Sequence, residues 1–266
     1  MLKQRILTAV PLAAAFLAAL FYLPSSAFAG LIAVLLLLAG WEWGALASLP
    51  TGPRIAFLLV LASLLGALLA QRGQLEPWLF PLSLGLWVFL SVLVLTFPRS
   101  APVLRGTGLR LGLAVFVLAP AYLAVLVLYS AGPSHLLWAL GVVWAADIGA
   151  YFAGRRFGKR KLAPAVSPGK SWEGALGGLA CALLVSLAFA YALAVPWGAP
   201  LLLFTVLMAV LSIFGDLFES VLKRTAGVKD SGGLLPGHGG VLDRLDALLP
   251  ALPLAALGLG ALPSAG

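Results

Sequence analysis

Long apolar runs separated by short turns dominate this chain of 266 residues. A helix that crosses the hydrocarbon core of a bilayer needs about 20 consecutive apolar residues. Nine segments approach that requirement, at 6–22, 26–41, 54–70, 77–96, 110–130, 136–153, 173–195, 199–222 and 244–263. The second and the last are the weakest, because each is short or interrupted by proline and glycine. The pattern predicts an all-α polytopic membrane protein with about nine transmembrane helices.

The basic residues indicate how these helices are oriented. With the N-terminus in the cytosol, sixteen of the 17 lysines and arginines fall on the inner side, and Arg72 alone falls outside. Cytoplasmic loops of membrane proteins are enriched in Lys and Arg. We therefore predict a cytosolic N-terminus and an outer C-terminus. Ala27-Phe28-Ala29 resembles a signal-peptidase site, but cleavage there would expose a second apolar helix at once, so we expect the first helix to be retained.

The acidic residues divide the chain unevenly. Charged residues are 10% of the sequence, and seven of the nine acids lie at or after residue 147. Two connections are long enough to hold a site, at 154–172 and 223–243. We therefore interpret 1–132 as transmembrane scaffold and 133–266 as a catalytic region with cytosolic loops. With no soluble domain to carry a basic face, we expect no nucleic-acid partner.

Several acids are predicted to lie at one depth of the membrane. An ionised aspartate at the centre of a spanning helix costs about 2.5–3.5 kcal/mol on insertion scales, so such residues usually mark function. Asp147 and Asp216 each lie about six residues before the inner end of a predicted span, which is about 9 Å deep. Asp243, Asp246 and Glu173 begin helices on the same side. Five acids therefore share the inner leaflet.

The spacing of these acids favours a divalent cation site. Asp216, Ser220 and Lys223 share one helix face, as do Asp243 and Asp246. Carboxylates from two helices could converge on Mg²⁺, which keeps waters and substrate phosphates as its other ligands. Zinc is not expected, because there is no Cys/His cluster. The alternative is that these aspartates pair with neighbouring basic side chains or cap the last helix.

Both long loops carry groups suited to phosphate. The loop 227–240 contains six glycines, whose backbone N–H groups can form an anion nest, and Lys223, Arg224 and Lys229 add charge. His238 in this loop is as consistent with a structural role as with a phosphate ligand. In the other loop we expect Ser167, Lys170 and Ser171 to grip a phosphate. A P-loop is excluded, because Pro164 stands where its first glycine is required. The alternative is that the basic residues here hold anionic lipid headgroups without specificity.

Two segments together resemble a known enzyme family. The run SVLKRTAGVKDSGGLLPGHGGVLDRLD, from Ser220 to Asp246, resembles the signature of the phosphatidate cytidylyltransferases, also called CDP-diacylglycerol synthases. The upstream segments from Asp147 to Lys159 and from Ser167 to Gly174 also resemble this family. The length and the polytopic layout agree over essentially the whole chain.

The resemblance implies a reaction: CTP and phosphatidate give CDP-diacylglycerol and pyrophosphate with Mg²⁺, and a second cation is possible. It also implies a bacterial-type inner membrane, a site that faces the cytosol, and a possible homodimer. The lipid phosphate is the nucleophile and is already anionic near pH 7, so positioning and charge neutralisation should carry the catalysis.

We assign hypothetical roles on this basis. The expected catalytic residues are Asp216, Lys223, Asp243 and Asp246, and the three aspartates are also the expected metal ligands. The expected substrate-binding residues are Asp147, Lys170, Ser171, Arg224, Lys229, Asp230, His238, Gly239, Gly240 and Arg244.

Three other functions stay open on the sequence alone. A transporter of phosphorylated solutes would also place charges inside a bundle, although such sites tend to lie near the midplane between repeated halves. A CDP-alcohol phosphatidyltransferase would carry a denser aspartate motif than Asp243-Arg-Leu-Asp246. A CTP-dependent lipid kinase would leave no cytidine on the lipid product.

Overall fold

The computed structural model describes residues 2–192, 198–234 and 239–261, which form helices and one hairpin. The helices are α1 (Leu2–Tyr22), α2 (Ser25–Leu46), α3 (Thr51–Ala70), α4 (Glu76–Leu95), α5 (Thr107–Ala131), α6 (Pro133–Phe157), α7 (Trp172–Ala192), α8 (Ala199–Thr225), α9 (Leu242–Leu245) and α10 (Leu248–Ala261). Strands β1 (Lys161–Ala163) and β2 (Ser167–Ser171) pair antiparallel between α6 and α7.

The predicted membrane architecture is confirmed for the central part of the chain. Within the described residues, seven helices, α2 to α8, are long and apolar enough to cross a bilayer. The chain is therefore a multi-pass, predominantly helical membrane protein. The predicted ninth span corresponds to α10, whose 14 residues reach about 21 Å, less than the roughly 30 Å of a hydrocarbon core.

Helix α2 is longer than its sequence pattern predicts. The expected span ended at residue 41, but α2 runs to Leu46 and carries Glu42 and Trp43 in its last turns. Arg110, itself buried, donates from Nη1 to the Leu46 carbonyl at 2.5 Å and from Nε to the Leu104 carbonyl. Trp43 Nε1 donates back to the Arg110 carbonyl at 3.0 Å. The bond to Leu46 satisfies a carbonyl at the end of α2 that would otherwise lack a partner, and the three bonds together tie this end of α2 to the start of α5.

Helix α5 lies at the centre of the bundle. Its residues from Leu113 to Leu128 are almost all buried, and it packs against α2, α3, α4, α6 and α10. The apolar core therefore surrounds a helix from the first half of the chain and leaves α6, α7 and α8 to build one side of the molecule.

Small residues bring α6 and α7 into backbone contact. A Cβ atom added to Gly178 would lie 2.5 Å from the Ala146 carbonyl oxygen, and one added to Gly149 would lie 2.6 Å from Cys181 Sγ. Small residues let membrane helices approach closely where van der Waals packing drives association. The α6–α7 pair is thus a unit that admits no added side-chain volume at these positions.

A buried polar cluster ties α8 to this pair. Trp138 Nε1 on α6 donates to Ser186 Oγ on α7 at 3.0 Å, and Thr205 Oγ1 on α8 lies 2.7 Å from the same hydroxyl. Hydrogen bonds of this kind join helices within a membrane. Three helices are therefore linked through one serine.

The connection 154–172 is more ordered than a loop. It forms the β1–β2 hairpin, with a register shift between Lys161 and Ala163. The Trp172 N–H donates to the Arg160 carbonyl at 2.9 Å and closes the hairpin at the start of α7. No alternation of apolar and polar residues in this segment predicts these strands.

Candidate active site

A cavity of about 1060 Å³ lies between α6, the hairpin, α7, α8 and the α9 segment, and the end of α4 borders it. Five carboxylates and four basic side chains among the described residues line it, which is a large share of the charge in so apolar a chain. Charged groups inside a membrane bundle are costly and usually functional. This cavity is therefore the candidate active site.

The structure brings most of the predicted site residues together. The predicted residues that line the cavity are Asp147, Lys170, Ser171, Asp216, Lys223, Asp243, Arg244 and Asp246. Ser167 lines it too. Arg224, Lys229 and Asp230 are exposed and do not line this cavity, and neither do Gly239 and Gly240. His238 lies outside the described residues.

Lys223 is held between two carboxylates. Its Nζ lies 2.5 Å from Glu219 Oε2, one turn earlier on α8, and 2.5 Å from Asp243 Oδ1 on α9. The sequence placed Ser220 on this helix face and Glu219 beside it. In the structure Glu219, not Ser220, faces the cavity. The alternative that an aspartate of the cluster pairs with a neighbouring lysine is thus confirmed for Asp243.

The second oxygen of Asp243 closes the glycine-rich loop. Asp243 Oδ2 accepts from the Gly240 N–H at 2.9 Å and from the Ser231 N–H at 3.2 Å. Burial raises the pKa of Asp243, but the hydrogen bonds from Lys223 and Gly240 outweigh burial and lower the pKa to about 2. Gly239 adopts a positive φ of 82°, which favours glycine, and a Cβ there would lie 3.0 Å from Asp243 Oδ2. The Gly240 N–H, one of the glycine donors suggested for a substrate anion, is thus already bonded to a protein carboxylate.

A second ion pair crosses the cavity from the opposite wall. Lys170 Nζ on β2 lies 2.7 Å from Asp216 Oδ2 on α8, and both side chains are partly exposed. The pair joins β2 to α8, and its lysine lines the cavity.

Ser171 and Glu173 order the hairpin and the start of α7. Ser171 is buried, and its Oγ accepts from the Gly174 N–H at 3.1 Å, the bond of a helix N-cap. Glu173 accepts from the N–H groups of Lys159 and Arg160 at 3.0 and 3.2 Å. Ser171 therefore has a structural bond in addition to its predicted role on substrate, which stays a prediction.

Glu42 is a site residue that the sequence interpretation missed. It lies on α2, is 2% exposed, and accepts from Ser231 Oγ at 3.1 Å and from the Leu242 N–H at 2.8 Å. The feature of the sequence that could have indicated Glu42 is an acid within two helical turns of the end of an apolar run. The predicted span ended one residue before Glu42 and so placed it at the membrane boundary. An acid at that depth is not costly and does not indicate a functional site.

The acidic wall has the chemistry to hold Mg²⁺. Asp246 lies near Asp216 and Glu219, so that their charges repel, and Glu219 Oε1 is buried without a hydrogen-bond partner in the described part of the chain. No three His, Cys, Asp or Glu side chains among the described residues form a preassembled ligand set. Mg²⁺ needs no such set, because it is usually held by one or two carboxylates plus substrate phosphates and water. The donor types therefore fit.

One side of the cavity is apolar and reaches the outer surface of the helices. Leu95 on α4, Leu176 on α7 and Val210 on α8 line the cavity and are 70%, 64% and 40% exposed. The cavity thus joins a charged interior to an exposed apolar side between α4, α7 and α8.

Comparison with known proteins shows the family of the chain. The phosphatidate cytidylyltransferase of Pseudomonas aeruginosa is 44% identical over 259 residues, covering 96% of this chain and 95% of that protein. That of Haemophilus influenzae is 40% identical over 281 residues, covering 95% of this chain and 96% of its own. That of Staphylococcus aureus (strain COL) is 37% identical over 184 residues, covering 67% and 70%. Residues 3–261 match the profile of the cytidylyltransferase family. The chain belongs to the cytidylyltransferase family.

Proposed function

We propose that this protein transfers the cytidylyl group of CTP to phosphatidate and releases pyrophosphate, for phospholipid biosynthesis. The observation that carries the proposal is the cavity, which joins a charged interior to an apolar opening between α4, α7 and α8. A substrate with a phosphate headgroup and acyl chains matches both parts. The names of the relatives support the same substrate pair.

The reaction requires one bond exchange at phosphorus. A phosphate oxygen of phosphatidate forms a bond to the α-phosphorus of CTP, and the bond from that phosphorus to the bridging oxygen of the β-phosphate breaks. Pyrophosphate leaves with the electron pair. Because the lipid phosphate is already anionic, the protein needs to position the two substrates and to offset their mutual repulsion.

The basic side chains of the cavity supply this charge. Lys170 is shared between Asp216 and any anion that enters, because its ion pair is open to the cavity. Arg155 and Arg244 line the cavity as well. Lys223 has a different role, since two carboxylates hold its ammonium in place. It fixes the position of α9 relative to α8 and keeps a cation beside the reacting phosphates.

Asp216 and Asp246 would hold Mg²⁺, with Asp243 as the third predicted ligand. When bound, the ion supplies positive charge to the triphosphate and to the departing pyrophosphate. Asp243 already has donors on both oxygens, so its ligand role requires that Lys223 gives way. Asp216 and Asp246 are for that reason the stronger members of the predicted set.

The membrane placement belongs to the same proposal. Nine spans with a cytosolic N-terminus and an outer C-terminus put the cavity at the inner leaflet of a bacterial-type inner membrane, where CTP is available. The sixteen basic residues assigned to the inner side support this orientation. A homodimer remains an expectation of the family resemblance.

Pyrophosphate release by the purified protein in detergent tests the proposal. With Mg²⁺ and CTP, release should depend on phosphatidate, and cytidine should appear in the lipid fraction. Asp216→Asn should lower turnover about a hundredfold or more, while Glu76→Gln at the start of α4 serves as a control on a half-buried acid that does not line the cavity. Absence of release with CTP and dCTP from folded protein contradicts the reaction. Near wild-type turnover of both Asp216→Asn and Asp243→Asn at saturating Mg²⁺ contradicts the metal assignment.

A further inference from the structure

Glu42 joins the first half of the chain to the described residues on both sides of the glycine-rich connection between α8 and α9. Ser231 lies on one side and Leu242, next to Asp243, on the other, and both contact one oxygen of Glu42. Ser231 Oγ donates to Glu42 Oε2, and the Leu242 N–H donates to the same oxygen. Glu42 is 189 positions from Ser231 and 200 positions from Leu242 in sequence.

Gly232 and Gly240 pack directly against the carboxylate of Glu42. A Cβ on Gly232 would lie 2.3 Å from Glu42 Oε1, and one on Gly240 would lie 2.5 Å from Glu42 Oε2. Glycine is required at both positions because the backbone passes directly over the carboxylate. Glu42 is thus enclosed by the loop and buried, which is costly for a carboxylate unless it makes a structural or functional contact.

The same backbone holds Asp243. Ser231 and Gly240, whose N–H groups bond Asp243 Oδ2, are the residues next to Glu42. A displacement of the loop at Glu42 therefore moves two donors of Asp243 and, through Asp243, the ammonium of Lys223. Glu42 reaches the substrate region through the loop without lining the cavity itself.

We propose that Glu42 is a positioning residue that holds Asp243 and Lys223 in place for nucleotide binding by accepting hydrogen bonds from Ser231 and Leu242. This inference rests on the proposed cytidylyl transfer. The carboxylate acts through hydrogen-bond acceptance, so an amide oxygen at the same position can replace it. It is a support for the site, not a group that touches the reacting phosphorus.

Steady-state kinetics of Glu42→Ala and Glu42→Gln test the proposal. Loss of two hydrogen bonds to a buried carboxylate should raise KM for CTP about ten- to a hundredfold in Glu42→Ala. KM for phosphatidate should stay within about twofold of wild type. Glu42→Gln should recover KM for CTP to within about threefold, because its amide oxygen can accept both bonds. Glu76→Gln is the matched control and should match wild type.

These variants separate positioning from a general loss of folded protein. A purely structural role lowers the apparent kcat through the active fraction and leaves both KM values unchanged, which contradicts the proposal. An equal defect in Glu42→Gln and Glu42→Ala also contradicts it, because charge would then be the essential property.

Two further variants cover the case in which Glu42→Ala does not fold. Ser231→Ala removes one donor and should raise KM for CTP about three- to tenfold, whereas Ser212→Ala on α8, whose hydroxyl bonds its own helix at Ala209, should not. In Gly232→Ala the three atoms nearest to the added Cβ all belong to Glu42. Its defect should therefore be smaller in the Glu42→Ala background than in wild type, and equal defects in the two backgrounds overturn the contact.

Hydrogen exchange distinguishes failure of this inference from failure of the proposed function. Without any substrate, the amides of 239–246 should exchange faster in Glu42→Gln than in Glu76→Gln if the bond to Leu242 weakens, and faster still in Glu42→Ala. Unchanged exchange in Glu42→Ala overturns the positioning role. If the variants show this difference in exchange but the wild-type protein releases no pyrophosphate, the positioning role of Glu42 stands and the cytidylyltransferase assignment is contradicted.

Discussion

The two walls of the cavity are held in different ways. The wall made by α6 and α7 depends on the absence of side chains, since Gly149, Gly177 and Gly178 let the backbones touch. The wall made by α8 and α9 depends on charge, since Lys223 lies between Glu219 and Asp243. The α6–α7 wall should tolerate a change of side-chain charge but not an increase in side-chain volume. The α8–α9 wall should tolerate a change of side-chain shape but not the loss of a charge.

Removing the central cation of the charged wall should give the largest effect. Lys223→Met leaves two partly buried carboxylates without their partner, a change that costs about 3–5 kcal/mol in buried pairs. We expect turnover to fall more than a hundredfold and thermal stability to fall with it. Lys223→Arg keeps the charge and should retain measurable turnover and most of the stability. Equal loss in both variants would show that shape, not charge, holds this wall.

Adding volume to the packed wall should give the next largest effect. Gly178→Val places a branched side chain against the Ala146 carbonyl, and overpacking of this kind costs about 1–3 kcal/mol. Cys181 is the single cysteine of the chain and faces Gly149. Its reaction with a thiol-specific dye during heating therefore reports when α6 and α7 separate, and this should occur at a lower temperature in the variant.

Gly66→Val on α3 is the matched control, because a Cβ there meets nothing within 4 Å. Its dye-labelling temperature should stay close to that of wild type. A similar decrease in both variants would mean that valine in a spanning helix, and not the α6–α7 contact, is responsible.

Acidification should give the smallest effect, a loss of stability through Asp243 in the wall made by α8 and α9. The pKa of Asp243 is lowered to about 2, against about 3.9 for an unperturbed aspartate. Its ionisation therefore stabilises the fold fully above pH 5, and about 2 kcal/mol is lost as the pH falls from about 4 to 2. Tryptophan fluorescence during unfolding should show this loss in wild type and not in Asp243→Asn. An identical acid response of the two proteins would contradict the low pKa.

The sequence predicted the membrane class, seven of the spans and most of the charged residues that line the cavity, because each depends on local patterns. Apolar length gives a span, and an acid inside a span is costly enough to mark a site. The i, i+4, i+7 face of α8 placed Asp216 and Lys223 correctly. It chose Ser220 over Glu219, since neighbouring residues on a helix differ by about 100° in direction and a spacing rule cannot say which of two adjacent faces points inward.

Contacts between distant parts of the chain were not predictable in this way. Glu42 and Leu242 are 200 positions apart, and nothing in the local sequence of either indicates the other. The same holds for the pair of Lys170 and Asp216, which depends on how the hairpin folds over α8. The division into a scaffold of 1–132 and a catalytic region of 133–266 stays a prediction, and Glu42 and the α4 end are the places where the first part reaches the site.

The apolar opening beside Leu95, Leu176 and Val210 has a consequence for how the products part. In the proposed reaction one product, CDP-diacylglycerol, is a lipid and the other, pyrophosphate, is a water-soluble anion. The lipid can diffuse laterally into the bilayer, while pyrophosphate leaves into water past the exposed Arg244 at the polar end of the cavity. Each product thus leaves into a different phase, and the two do not compete for one exit. The reverse reaction requires that the lipid return from the bilayer and pyrophosphate from water to the same cavity.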